Sequence, residues 1–274
     1  MRGMEIALVA DSHLSERAPE CVSNWRMAAR TVAAADPDLT VHLGDITLDG
    51  CEQPDELQFA RGLLQAWPTP IVCTPGNHDM GTASGEERLS RAALSRYTAA
   101  FGDDHWCLVA GGWTLLGVNA QLFGTGSAEE RVQLEWLRGQ ARRLRSGNRV
   151  ALFLHRPLLR PMGDVSMPIG RYVHAESARW LLDGPLRGAL RLVVSGHTHQ
   201  AMDFVAGGVR HVWVPSSGFV ISDALQQPVG RKTVGIGWLS LSADDWDYMH
   251  LSPTGSVMHE LTRRPFYRDR VSHA

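Results

Sequence analysis

Short apolar runs alternate with longer amphipathic stretches along most of this chain. Met4 to Ala10 is apolar up to Asp11 and predicts a buried strand. Cys21 to Ala35 places Trp25, Ala28, Ala29 and Val32 at helical spacing, and Asp36-Pro37-Asp38 ends that helix because proline cannot continue it. Leu39 to Leu43 predicts a second strand, Asp55 to Trp67 a helix closed by Pro68-Thr69-Pro70, and Ile71 to Thr74 a third strand. A helix is expected over Glu86 to Ala100. Trp106 to Ala110 and Trp113 to Asn119 flank Gly111-Gly112 as a hairpin. Ser127 to Arg145 reads as a helix opened by a capping box, Ser127 with Glu130. Val150 to Leu154 and Leu190 to Ser195 predict strands on either side of a helix over Ala175 to Leu182. Met202 to Val205, Val209 to Val214 and Gly235 to Leu241 complete the strands, the first two joined at Gly207-Gly208. Strands alternating with helices define a layered α/β protein.

Where these strands stop, the polar residues are of one kind. The ends carry Asp11-Ser12-His13, Gly44-Asp45, Gly76-Asn77-His78-Asp79, His155, and Gly196-His197-Thr198-His199. Asp, Asn and His bind hard or borderline divalent metals. In open α/β sheets, ligands bind beyond the carboxyl ends of the strands. The pattern therefore predicts one polar site at one edge of one sheet. The glycines before Asp45, Asn77 and His197 fit turns that bring backbone close to that site.

Composition narrows the partners. A chain of 274 residues can bury a full core as one domain, and a net charge of −2 gives no overall attraction to nucleic acid or anionic membranes. Cys21, Cys51, Cys73 and Cys107 show no C-x-x-C spacing, so free thiols in a reducing compartment are expected. Ile6 to Ala10 is too short for a signal peptide's apolar region with its cleavage site, and no run approaches the ~20 apolar residues of a membrane span. The cytoplasm is the expected location.

The ordered set D-x-H, G-D, G-N-H-D, H, G-H-T-H, spread over about residues 4 to 217, resembles the calcineurin-like metallophosphoesterase superfamily. The resemblance implies a four-layer double β-sandwich flanked by helices, in one domain over 1–274. Within it lie the motif-bearing core, a strand-rich part over 218–262 and a polar tail over 263–274. It implies two divalent metal ions (Mn, Fe, Zn or Co). Asp11, His13, Asp45 and His199 would hold one. Asp45 would bridge to a second held by Asn77, His155 and His197. A metal-bridging hydroxide would attack phosphorus in line. His78 would assist the leaving oxygen, with Asp79 orienting it or raising its pKa.

Gly-Asn-His-Asp, Gly196-His197-Thr198-His199-Gln200, Gln133-Leu134-Glu135-Trp136-Leu137 and Pro215-Ser216-Ser217 look like the class III cyclic nucleotide phosphodiesterase branch. The implied substrate is a cyclic nucleotide or a related small phosphodiester. A phosphomonoesterase, a nuclease and a non-enzymatic metal-bound module are the alternatives, and a homodimer is one expected assembly. Many relatives carry His-His-Pro where this chain has His155-Arg156-Pro157. Arg156 either contacts phosphate or turns to solvent. Arg156 to Val173 is a long irregular segment, and Arg171, Tyr172 and His174 at its end either form a substrate wall or pack the loop. Met162 and Met167 are read the same way. Arg138, Arg142, Arg143, Arg145 and Arg149 form a basic cluster, read as a solvated helix face rather than a patch for an acidic partner.

Overall fold

The computed structural model describes residues 3–81, 89–161, 164, 170–243 and 245–261. Strand β1 (Met4–Val9) sends Ile6 and Leu8 to one face and Ala7 and Val9 to the other, all fully buried. A strand buried on both faces belongs inside a sheet. β1 does lie inside one: β2 (Leu39–His42) and β3 (Ile71–Cys73) continue parallel to it on one side. β11 (Ile236–Leu241) and β12 (Trp246–Leu251) follow antiparallel on the other, giving the order β12-β11-β1-β2-β3.

The second sheet runs β10-β8-β9-β7-β6-β5-β4. Its parallel centre is β5 (Trp113–Gly117), β6 (Arg149–Leu154), β7 (Leu190–Ser195) and β9 (Val209–Trp213). β4 (Trp106–Ala110), β8 (Gln200–Ala206) and β10 (Arg231–Lys232) pair antiparallel at its flanks.

Ile6, Leu8 and Val41 from the first sheet meet Leu115, Phe153, Leu192 and Val212 from the second in one buried cluster. The outer face of the first sheet packs on α1 (Pro19–Ala35), α2 (Pro54–Gln65) and α4 (Arg91–Phe101) through Trp25, Val32, Leu64 and Tyr97. The outer face of the second packs on α5 (Ala128–Arg143) and α6 (Ala175–Asp183) through Leu137, Ala178 and Leu181. The result is helix, sheet, sheet, helix: the four-layer sandwich that the motif order implied.

Three expectations are corrected here. The strand ends bearing the motifs belong to two sheets, not one. Strands β10 and β12 and the single turn α3 (Asn77–Met80) were not foreseen. Helix α4 begins at Arg91, where the Ser90 hydroxyl accepts from the Ala93 amide; Glu86 lies outside the described residues. The cap of α5 is formed as expected in one direction, Ser127 Oγ accepting from Glu130 N at 3.0 Å. In the other direction Glu130 reaches past the cap, to the amides of Gly124 (2.7 Å) and Gly126 (2.6 Å).

Candidate metal centre

The parallel strands of the two sheets deliver the motif residues to one place. Asp11 and His13 follow β1, Asp45 follows β2, and Asn77 and His78 follow β3. From the second sheet, His155 follows β6, while His197 and His199 follow β7. Backbone contacts lock the turns together: Asp11 N donates to Gly44 O, His13 N to Asp45 O, and Gly196 N to His155 O. Six described non-glycine residues have positive φ, and five of them are Asp11, His13, Asp45, His197 and His199. Such backbone costs energy and is held by its surroundings, which marks functional turns. Gly76 is required for close approach, since a Cβ there would overlap the Asp45 carboxylate.

The side chains form interlocking groups. Ligand atoms of Asp11, His13 and His199 lie within 4.8 Å of one another, as do those of Asp45, His155 and His197. Asp45 also belongs to a third such group with His13 and His78, so its carboxylate stands between the other two. His13 Nε2 lies 3.2 Å from His199 Nε2, and His155 Nε2 lies 3.2 Å from Asp45 Oδ2.

Backbone carbonyls settle which nitrogens face inward. His155 Nδ1 is 2.8 Å from Leu43 O, and His199 Nδ1 is 2.8 Å from Phe219 O. A carbonyl only accepts, so each Nδ1 carries a proton and each neutral ring turns the lone pair of Nε2 toward the site. His197 is reversed: Nε2 donates to Gly170 O at 3.1 Å, and Nδ1 points inward, 2.9 Å from His155 Nε2. Two inward nitrogens that close need either a cation or a shared proton between them, and the raised His155 pKa favours the proton while the site is bare. Asn77 Oδ1 and His13 Nδ1 are buried with no hydrogen-bond partner among the described residues. Inward nitrogens, two carboxylates and an orphaned amide oxygen make a mixed N/O donor set that fits divalent metal ions.

The electrostatics of the bare site agree. Burial pushes the Asp11 carboxyl up to about 8, against the pull of His155. Burial opposes charge on Asp45 too, but His155 and His78 outweigh it and hold that carboxyl well below its usual range. Burial drives His197 well below the ordinary imidazole value and His199 to about 4, so both are neutral and able to ligate. Burial also opposes charge on His155, yet the Asp45 carboxylate overrides it and raises the pKa.

His78 stands beside His13, ring centroids 4.9 Å apart. Its backbone N–H donates to Asp45 Oδ1 at 2.9 Å, and Nδ1 donates to Leu48 O at 2.6 Å. Asp49 Oδ1 lies 3.8 Å from that same Nδ1. Asp49 in turn is held by Arg17, 2.6 Å away, which also grips Glu56. Asp79 is differently engaged: it accepts from the amides of Ile46, Thr47 and Gly76 and from the Thr47 hydroxyl. It therefore braces the turn after β2 against the turn after β3, and the carboxylate beside the His78 ring is Asp49.

Three of the four residues named for substrate contact, Arg156, Tyr172 and His174, line one cleft; Arg171 does not. Arg156 is mostly buried rather than turned to solvent, and its Nε has no hydrogen-bond partner among the described residues. Burial lowers its guanidinium to about 10, opposed by the Asp45 carboxylate. Tyr172 and His174 line the cleft with Arg156. Arg171 lies 3.5 Å from Asp164, and the Tyr172 hydroxyl donates to the same carboxylate, so both tie the loop together. Met162, Met167 and the 263–274 tail lie outside the described residues. Arg138 and Arg142 pair with Glu135 on the exposed face of α5, as a solvated face requires.

Sequence reasoning missed Asp49 and Phe219 at the site. Phe219 stacks on His13, centroids 4.7 Å apart, and supplies the carbonyl under His199. Asp49 could have been found four residues after Asp45, but nothing local marks a carbonyl or an aromatic neighbour as part of a site.

Fold and site together define a phosphoesterase of the two-sheet, metal-binding kind. The chain belongs to the calcineurin-like phosphoesterase family, whose model matches residues 4–201. It is similar to the 3',5'-cyclic adenosine monophosphate phosphodiesterase CpdA of Escherichia coli K12, 24% identical over 98% of this chain and 94% of that protein. It is also similar to the serine/threonine-protein phosphatase CPPED1 of Pongo abelii, 26% identical over 64% of this chain and 53% of that one. A dimetal phosphatase from Danio rerio shares the fold, with a TM-score of 0.66 and 16% identity over 91% of this chain and 96% of that chain. No helix among the described residues is long and apolar enough to cross a membrane.

Proposed function

We propose that this protein is a metal-dependent phosphodiesterase acting on a cyclic nucleotide or a related small phosphodiester. The observation that carries the reading is the pair of inward-facing nitrogens, His155 Nε2 and His197 Nδ1, 2.9 Å apart beside the Asp45 carboxylate. Asp11, His13, Asp45 and His199 would hold one divalent cation; Asp45, Asn77, His155 and His197 would hold a second. Cations held there supply Lewis acidity toward phosphate oxygens and lower the pKa of water. A carboxylate suits the shared position because its two oxygens offer lone pairs to both sides and its charge offsets theirs.

The remaining work belongs to the chain. Because Nδ1 of His78 donates to Leu48 O, the opposite nitrogen, Nε2, is the one that can hand a proton to the leaving oxygen. The Asp49 carboxylate lies 3.8 Å from Nδ1, on the opposite side of the ring from that proton. The Asp79 brace fixes the backbone on which Asp45 and His78 are carried.

The similarity to CpdA over nearly the whole chain supports a cyclic nucleotide substrate. The similarity to CPPED1 supports phosphomonoester hydrolysis as the second reading. The test is turnover of bis(p-nitrophenyl) phosphate, p-nitrophenyl phosphate and 2',3'- and 3',5'-cyclic nucleotides by protein loaded with manganese, then stripped with chelator. Metal-dependent turnover that favours a cyclic nucleotide is expected. Preference for the monoester selects the second reading, and no turnover on any of them removes both.

A further inference from the structure

Arg156 links the metal centre to a cleft of about 900 Å³ that also has Phe123, Leu158, Tyr172, His174 and Arg179 on its walls. Phe123 and Leu158 are buried and give it an apolar floor, while Arg179 and His174 stand exposed at its rim. A cavity of this size, apolar with a few polar groups, suits a small organic molecule.

Its position relative to the site is set by two contacts. Arg156 directly follows His155, and Gly170, on the cleft wall, accepts from His197 at 3.1 Å. The cleft thus lies beside the end of the site that holds His155 and His197. His78 stands at the other end, beside His13.

Diester hydrolysis gives these two ends different jobs. The oxygen of water joins phosphorus, one P–O ester bond breaks, and the departing oxygen takes a proton. The second ester bond survives. Resting on the phosphodiesterase reading above, with the proton coming from the His78 end, the surviving ester of an acyclic diester points away from that end; in a cyclic nucleotide both ester oxygens share one sugar, and the base is the group that extends away. We propose that the Arg156 cleft is the subsite for the ester group that remains on phosphorus, with Arg156 at its mouth holding a phosphoryl oxygen. The mostly buried guanidinium lines the cleft, and arginine recognises phosphate well. The apolar floor takes a flat group of nucleoside size. A phosphomonoester has no such group, so the cleft selects diesters.

The test fills the cleft from its rim. Ala175 lines it and is exposed, so a larger side chain there is compatible with folding. Ala175→Trp should lower the ratio of kcat/KM for bis(p-nitrophenyl) phosphate to that for p-nitrophenyl phosphate about tenfold. Arg156→Gln should raise KM for both esters, because both carry phosphoryl oxygens. Arg179→Trp replaces Ala175→Trp if that variant does not fold. An unchanged diester-to-monoester ratio in a folded rim variant overturns the proposal while leaving the phosphodiesterase reading intact. If the wild-type protein turns over neither ester, that reading falls, and calorimetry decides the subsite. Diphenyl phosphate should then bind, and Ala175→Trp should weaken it about tenfold more than phenyl phosphate. Equal weakening, or no binding of diphenyl phosphate, overturns the subsite.

Discussion

At the scale of single residues, neighbours in sequence have taken separate tasks. The His78 ring stands beside His13, while Asp79 accepts from the backbone behind it. His78→Ala should retain metal, measured by elemental analysis, and lose about 10²- to 10⁴-fold in kcat. Unchanged kcat would remove the acid role. Asp79→Ala leaves three buried amides without an acceptor and should cost about 3 kcal/mol, seen as a lower urea midpoint. A wild-type midpoint would mean that the two turns are held by something else.

His211 gives a residue-scale pH effect well away from the motif residues. Burial lowers its pKa to about 4, and its ring stacks on Phe204. Below about pH 6.5 the unfolded chain takes up a proton that the folded ring refuses until near 4, so stability falls as the pH drops through that window. The full contribution is up to about 3 kcal/mol. His211→Phe should therefore narrow the gap between urea midpoints measured at pH 7 and pH 4.5.

At the scale of elements, most of the fold was legible because most strands are apolar runs and most helices have apolar stripes. β1, β2, β6 and β7 are buried on nearly every residue, and their ends coincide with the polar segments. β12 escaped notice because Asp247 and His250 interrupt it at the sheet edge, where only one face needs apolar residues. β10 is Arg231-Lys232, a strand made by pairing with β8 and by nothing in its own composition. The division into two sheets was not readable from the motif residues either, since a strand end looks the same whichever sheet it closes.

Glu130 is an element-scale device: from α5 it holds the Gly124–Gly126 turn, whose Gly124 lines the cleft. Ser127→Ala removes the helix cap and the bond from the Thr125 hydroxyl, leaves both Glu130 bonds to the turn in place, and should cost about 1 kcal/mol. Glu130→Ala should cost more and also raise KM for diesters, which Ser127→Ala should not. Equal KM values in the two variants would separate the turn from substrate binding.

At the scale of the whole molecule, the candidate ligands join the two sheets across the sandwich. Cations held there act as a clamp between them. With metal at 100 times Kd the native state should gain about 2.7 kcal/mol. For a chain of this length that is about 5–10 °C in Tm, reversed by chelator. No shift on adding manganese, zinc, cobalt or ferrous iron would count against any tight site.

β1 has a further consequence, through its place between β2 and β11. During synthesis β1 gains one neighbour, β2, about 30 residues later. Its other neighbour comes from Ile236–Leu241, after every candidate ligand has been synthesised. A nascent chain thus carries Asp11 and His13 without His197 or His199 until β7 has been passed, and with an open β1 edge until β11 is made. Any cation that needs the full ligand set would consequently load only after β7 has been made. Premature release upstream of β7 yields fragments that lack both histidines and expose an unpaired strand, the kind of species that chaperones and proteases intercept.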